Sequence, residues 1–227
     1  MMRMLAVIGF GVSCLLADNE PKQRVQATNT QRVDFAPGGT LRLENSTGEL
    51  MVQGWDRPDV EITTIRSAIA ARELEQVRIA VERRGDELVV TTAFPRHGFL
   101  SPPFPPGTSF DLEYYIKAPR NARLIVAHYA GDVHVDEMTG DIRVTARQGE
   151  ITLRLPGEGQ YAIDARSKFG GVNSDFPGHE TRKLWFAGHQ FTNETSPAAH
   201  KIYLRIGYGD ILVWKTLRLP TPAPPAH

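Results

Sequence analysis

Ala130-Gly131-Asp132-Val133-His134-Val135, Thr139-Gly140-Asp141-Ile142-Arg143-Val144 and Gln148-Gly149-Glu150-Ile151-Thr152-Leu153 repeat one phrase, with nine residues from each glycine to the next. The phrase is glycine, an acid, a β-branched residue, any residue, and another apolar one. Glycine suits the φ > 0 backbone of a tight turn, the acid can accept hydrogen bonds from turn amides, and the alternation that follows suits a half-buried strand. Each unit therefore reads as a turn followed by a short strand. Units repeated at a fixed period bury their apolar face by stacking, as in a solenoid. Looser copies stand at Thr47-Gly48-Glu49-Leu50-Met51-Val52, Phe169-Gly170-Gly171-Val172-Asn173-Ser174 and Tyr208-Gly209-Asp210-Ile211-Leu212-Val213, so the repeat spans most of the chain.

The rest of the sequence fits an all-β, solenoid-like stack with an N-terminal strand and hairpin region and one short helix. A chain of 227 residues that is 41% apolar is long enough for one large domain, and 20 Gly with 16 Pro suit many short strands and turns. Leu41–Asn45, Leu50–Trp55 and Val60–Ile65 alternate with a period of two. Residues 67–76 hold good helix formers, and Val77–Val81 pairs with Leu88–Thr92 around Arg84-Gly85-Asp86 as a hairpin. The single domain is expected over 33–217, interrupted by a Pro-rich loop at 94–110 and followed by a Pro-rich tail at 218–227. Residues 178–199 read as loop around the one strand at Leu184-Trp185-Phe186.

At the N-terminus, Met1-Met2-Arg3-Met4 and an apolar run ending Leu15-Leu16-Ala17 read as a signal peptide over 1–17, with a flexible lead-in over 18–32. The expected location is the periplasm or the cell surface, with no transmembrane span after cleavage. Cys14 is the only cysteine; Ser13 before it suits a lipoprotein acceptor, whereas Gly11 and Leu15-Leu16 do not, which favours cleavage over lipidation. A mature chain without cysteine has no disulfides, no Cys-ligated zinc and no cysteine nucleophile.

Lys plus Arg and Asp plus Glu stand at 26 each, which gives no net field toward nucleic acid. No phosphate loop, nucleophile elbow or zinc-protease motif is present, so no catalytic, cofactor or metal residues are assigned. The repeat acids Asp132, Asp141, Glu150 and Asp210 read first as turn caps. Nine residues make one side of a coil, so the acids of successive units need not be neighbours. His134, Arg143 and Arg154 point outward as a modest basic stripe.

The candidate partner-binding residues are aromatic. Phe99 and Phe104 lie in the Pro-rich loop, and Trp55, followed by Asp56-Arg57-Pro58-Asp59, suits either a sugar ring or a cover over the core beside a Pro turn. Trp214 in the last strand raises self-association through an open solenoid end.

The Gly-acid-β-branched copies, the segment Leu153-Arg154-Leu155-Pro156 leading to Ser167–Pro177, and the closing Gly207-Tyr208-Gly209-Asp210-Ile211 resemble the putative adhesin family of bacterial envelope proteins. Leu41–Asn45 through Gly54-Trp55-Asp56, and Tyr115–Ala122, resemble that family's opening strands and pre-repeat strand. The resemblance covers roughly Val33 to Lys215 and implies an exported β-strand-repeat protein of unknown biochemical activity, with no catalytic residues to carry over. The reading is an exported, non-enzymatic module of the cell envelope, structural or adhesive, whose partner is an envelope protein or a glycan. The alternative is a polysaccharide-acting enzyme using carboxylates from adjacent coils.

Overall fold

A computed structural model of the chain describes residues 24–36, 38–75, 77–93, 110–183, 187–193 and 200–216. The first strands are β1 Val25–Asp34, β2 Thr40–Ser46, β3 Glu49–Trp55 and β4 Asp59–Ala68, followed by the helical turn α1 Ala71–Leu74. Then come β5 Arg78–Arg84, β6 Glu87–Ala93, β7 Asp111–Pro119, β8 Arg123–Ala130, β9 Val133–Asp136, β10 Ile142–Gln148 and β11 Ile151–Pro156. The last are β12 Tyr161–Phe169, β13 Val172–Ser174, β14 His179–Lys183, β15 Ala187–Thr192, β16 His200–Tyr208 and β17 Ile211–Thr216.

These strands form two open sheets, β1-β4-β7-β3-β9-β11-β17-β13 and β14-β15-β12-β16-β10-β8-β2-β6-β5. The middle of each sheet is parallel, because a coil runs along the second sheet, turns, and returns along the first. Six such passes stack in the order β6/β7, β2/β3, β8/β9, β10/β11, β16/β17, β12/β13. A nine-residue unit is one side of a coil, as the sequence implies: Ile151 lies beside Val133, and Ile142 beside Leu124 on the other sheet.

Strict register turns the alternation into ladders. Leu88, Leu41, Leu124, Ile142, Ile202 and Ile163 form one row inside the second sheet, and Tyr114, Leu50, Val133, Ile151, Ile211 and Val172 face them from the first. These side chains are buried in one continuous core. Full burial of each aliphatic residue contributes about 1.5–3 kcal/mol, so regular stacking replaces a conventional folded centre.

The corner between the sheets has its own ladder. Gly48, Gly131, Gly149, Gly209 and Gly170 follow one another along the stack, all with φ between 86° and 150°. A Cβ on Gly149 would lie 1.9 Å from the Gly131 carbonyl oxygen, and one on Gly209 1.7 Å from that of Gly149. Glycine is required there by backbone conformation and by the contact between coils.

Antiparallel strands close the ends. At one end β4 pairs with β7 and β1 with β4 in the first sheet, while β5 pairs with β6 in the second. At the other, β15 pairs with β12 and β14 with β15.

Four expectations change. The flexible lead-in over 18–32 is strand from Val25 onward, because β1 finds the free edge of β4. The helix expected over 67–76 shrinks to Ala71–Leu74, since Ala68 pairs with Val25 and Ser67 with Asp111; helix propensity of tenths of a kcal/mol yields to ladder pairing on both edges. The loop expected over 178–199 contains the hairpin β14–β15, while Leu184-Trp185-Phe186 lies outside the described residues. Trp214 is not on an end strand, because β17 is inserted between β11 and β13. The hairpin around Gly85 forms as expected.

Candidate functional site

The repeat acids are bonded to the main chain. Asp132 Oδ1 accepts the backbone N–H of Glu150 on the next coil at 3.0 Å, and Asp210 Oδ1 accepts that of Gly171 at 2.6 Å. Glu150 accepts the Thr152 hydroxyl at 2.8 Å. Asp132, Glu150 and Asp210 stand on consecutive coils, each one place ahead of the in-register Val133, Ile151 and Ile211. Asp141 stands at the opposite corner, where it accepts the N–H of Lys201 at 3.0 Å and meets Arg123 at 3.3 Å. Among the described residues, no group of three or more His, Cys, Asp or Glu is placed to hold a metal ion. Coil-to-coil capping is what this arrangement does chemically.

The opposite corner is irregular and carries the grooves. One, of about 490 Å³, is lined by Phe35, Trp55, Asp56, Arg57, Pro58, Pro119, Arg120 and Asn121. The half-buried Trp55 donates its indole N–H to the Asp59 carbonyl at 2.8 Å, and the Arg57 guanidinium lies 4.8 Å from the centre of its ring. Trp55 takes an outward position of β3, outside the core, and lines the groove.

Arg120, which sequence reasoning did not single out, organises the groove. It donates to Asp56 Oδ1 at 2.8 Å and to Glu137 Oε2 at 2.6 Å, which favours its charged form further. The parallel pairing of Trp55 with Pro119 brings it there from far along the chain, and nothing in the local sequence announces that meeting. A second groove, of about 600 Å³, lies at the same corner along Pro156–Tyr161, with His200 and Lys215. A third, of about 460 Å³, lies on the outer face of the second sheet and includes Arg42, Arg123, Arg143, Lys201 and Tyr203. None of the three brings two of the repeat acids together. Phe99 and Phe104 lie outside the described residues. The expected basic stripe is split, since Arg143 is on the second sheet while His134 and Arg154 are on the first.

One buried polar pair interrupts the core. His128 is 5% exposed, and a 2.9 Å hydrogen bond joins its Nδ1 to Ser46 Oγ on the neighbouring strand. Burial pushes the imidazole pKa down to about 4, against smaller opposing pulls from main-chain groups of Ala130, Gly131 and Gly48 and from Asp132. The ring is therefore neutral at pH 7.

A family model described as Toastrack DUF4097 matches residues 33–213, nearly the whole two-sheet stack. The chain belongs to this family. A crystal structure of a putative cell adhesion protein from Clostridium sporogenes ATCC 15579 is similar at 16% identity, covering 84% of this chain and 100% of that one, with a TM-score of 0.52. A putative adhesin from Parabacteroides merdae ATCC 43184 matches at 11% identity over 65% of this chain and 62% of its own, with a TM-score of 0.27. No curated protein matches the chain. The Toastrack assignment and the first of these structures bear out the family resemblance and the solenoid-like fold read from the glycine phrases. For this Toastrack chain, among the described residues, no helix is long and apolar enough to cross a membrane, which leaves spanning by strands aside.

Proposed function

We propose that the protein works without catalysis, as an exported structural or adhesive module of the bacterial cell envelope whose stacked coils hold partner-binding side chains in fixed positions. The observation that carries this reading is the use of the repeat carboxylates: Asp132, Asp141 and Asp210 each bond a backbone N–H of the neighbouring coil, and none of them meets a second repeat acid in a groove. Asp132, Glu150 and Asp210 are neighbours along the stack yet line none of the three grooves, whereas a catalytic carboxylate pair, about 5–10 Å apart, would face its substrate in an open cleft. The partner is an envelope protein or a glycan, met through Trp55 and through the segment carrying Phe99 and Phe104. The leader over 1–17 supplies the export signal, and the likeness to a putative cell adhesion protein of Clostridium sporogenes supports a role at the cell surface.

Fractionation of cells making the full chain, and a version lacking residues 1–17, tests the location. The full chain is expected in the envelope or medium and the shortened one in the cytoplasm; equal cytoplasmic retention of both would overturn export. Incubation of the purified protein with envelope polysaccharides tests the absence of catalysis. Release of reducing ends that disappears in Asp132→Asn or Asp210→Asn would replace this reading with the enzymatic one.

A further inference from the structure

The balanced composition of the chain conceals a separation of charge. On the outer face of the second sheet, the adjacent strands β8, β10, β16 and β12 carry Arg123, Arg143, Arg147, Lys201, Arg205 and Arg166 against the single acid Asp164. Asp164 is engaged by Arg205 at 2.5 Å, and the nearby Asp141 by Arg123 at 3.3 Å. Arg143, Arg147, Arg166 and Lys201 have no carboxylate partner among the described residues. The glycine corner has the opposite character, with Glu49, Asp132, Glu150 and Asp210 along the stack. Interspersed surface charges would leave no such field; grouping the cations on the outer face of these four adjacent strands creates it.

The basic face also has relief. Its groove is lined by Arg42, Arg123, Arg143 and Lys201 with Ile125, Tyr203 and Asp141; Glu87 engages Arg42 and Asp141 engages Arg123, which leaves Arg143 and Lys201 as its uncompensated cations. Tyr203 lies beside Arg143 in register, with the Arg143 guanidinium 4.7 Å from its ring centre and that of Arg205 3.8 Å away. The ring holds the guanidinium groups in place, and with Arg205 against it the ring is not an open platform for a base. Single-strand binders add base stacking on open aromatic faces to their phosphate contacts, and this groove offers no such face. Guanidinium groups held in a fixed orientation are suited to forked hydrogen bonding of carboxylates. Each of the four adjacent strands, about 4.8 Å from the next, carries at least one of these cations, so the positive face extends across the strands and favours a linear partner laid in that direction.

We propose that the outer face of the second sheet binds a linear, carboxylate-bearing polysaccharide that crosses β8, β10, β16 and β12. This deepens the binding role proposed above and rests on it only for where such a polymer is encountered, so binding in vitro and export from the cell succeed or fail separately.

The test uses the purified full chain and immobilised polygalacturonate, with a neutral glucan, single-stranded DNA and anionic phospholipid vesicles as competitors. Binding to polygalacturonate is expected at low salt, weakening as salt screens the exposed charges. Arg143→Glu with Lys201→Glu is expected to lower the affinity roughly tenfold or more, equivalent to about 1.4 kcal/mol. Arg143→Gln with Lys201→Gln should give a smaller loss in the same direction, and Arg154→Glu on the first sheet should change affinity less than about twofold. Circular dichroism of each variant establishes that the fold is retained. Equal binding by the neutral glucan, equal loss from Arg154→Glu, or no loss from either double variant would overturn the proposal. Competition by DNA or vesicles at lower concentration than free polygalacturonate would assign the face to that other class and overturn it as well.

Discussion

The two corners of the solenoid answer the same geometric problem in different ways. At one, Gly48, Gly131, Gly149, Gly209 and Gly170 stack in sequence, each with φ > 0 and each against the main chain of the coil before it. At the other, Trp55-Asp56-Arg57-Pro58, Pro119-Arg120-Asn121, Glu137-Met138-Thr139-Gly140 and Pro156–Gln160 vary in length and share no composition, and two grooves lie among them. The uniform corner transmits register from coil to coil. The irregular corner joins its coils by side chains such as Arg120 together with main-chain bonds that differ from coil to coil, among them the Thr139 and Gly140 N–H groups donating to the Arg120 carbonyl, and the free space there suits binding.

The largest effect that would break this contrast is at the uniform corner. Gly149→Ala is expected to lose about 3 kcal/mol or more in chemical denaturation, since it adds a left-handed conformation for a non-glycine residue to a main-chain clash. Gly85→Ala, with φ 66° and open space around it, should lose only about 1 kcal/mol. Similar losses for both would show that the coil contact contributes nothing.

Next in size is the buried His128 beside that corner. Its folded pKa of about 4 lies below the unfolded value, so its contribution is complete above about pH 6.5 and is lost as pH falls toward 4, by up to about 3 kcal/mol. Denaturation midpoints measured across that window should fall more steeply for the natural chain than for His128→Leu. Parallel profiles would mean that the imidazole is protonated in the folded state.

Asp132→Ala removes the acceptor for the Glu150 N–H and is expected to cost about 1 kcal/mol, whereas Asp132→Asn keeps an oxygen there and should cost less than half of that. Equal costs would make charge, rather than capping, the property that matters. The smallest change belongs to the irregular corner. Arg57→Ala uncovers one side of Trp55 and should alter stability by less than about 0.5 kcal/mol. A loss as large as that of Gly149→Ala would abolish the distinction between the corners.

The fold was legible because its signals are local. The glycines mark a backbone conformation, the acids mark caps, and the alternation of Val133, Val135, Ile142, Val144, Ile151 and Leu153 marks the buried face, each within a few residues. The caps at Asp132 and Asp141 follow from the same local pattern. Where local propensity met an available sheet edge, the reading failed, as at Ser67 and Ala68, which continue β4, and at Val25 to Arg32, which pair along β4 where a lead-in was expected. Of the candidate site, Trp55 was legible as an aromatic at the end of a strand, beside a Pro turn. Its neighbours were not, because Arg120 reaches it only through the parallel pairing of β3 with β7.

The sequence by itself determined that this chain forms turn-strand units, which face of each strand is buried and where glycine is indispensable, because those properties depend on neighbouring residues and on backbone sterics. Tertiary structure alone decided that β16/β17 enters between β10/β11 and β12/β13, that Asp132, Glu150 and Asp210 stand on consecutive coils while Asp141 stands apart, and that a chain with equal numbers of acids and bases sets a group of cations side by side on β8, β10, β16 and β12. Stacking order is set by which ladders match across separations of tens of residues, and no nine-residue phrase contains that information.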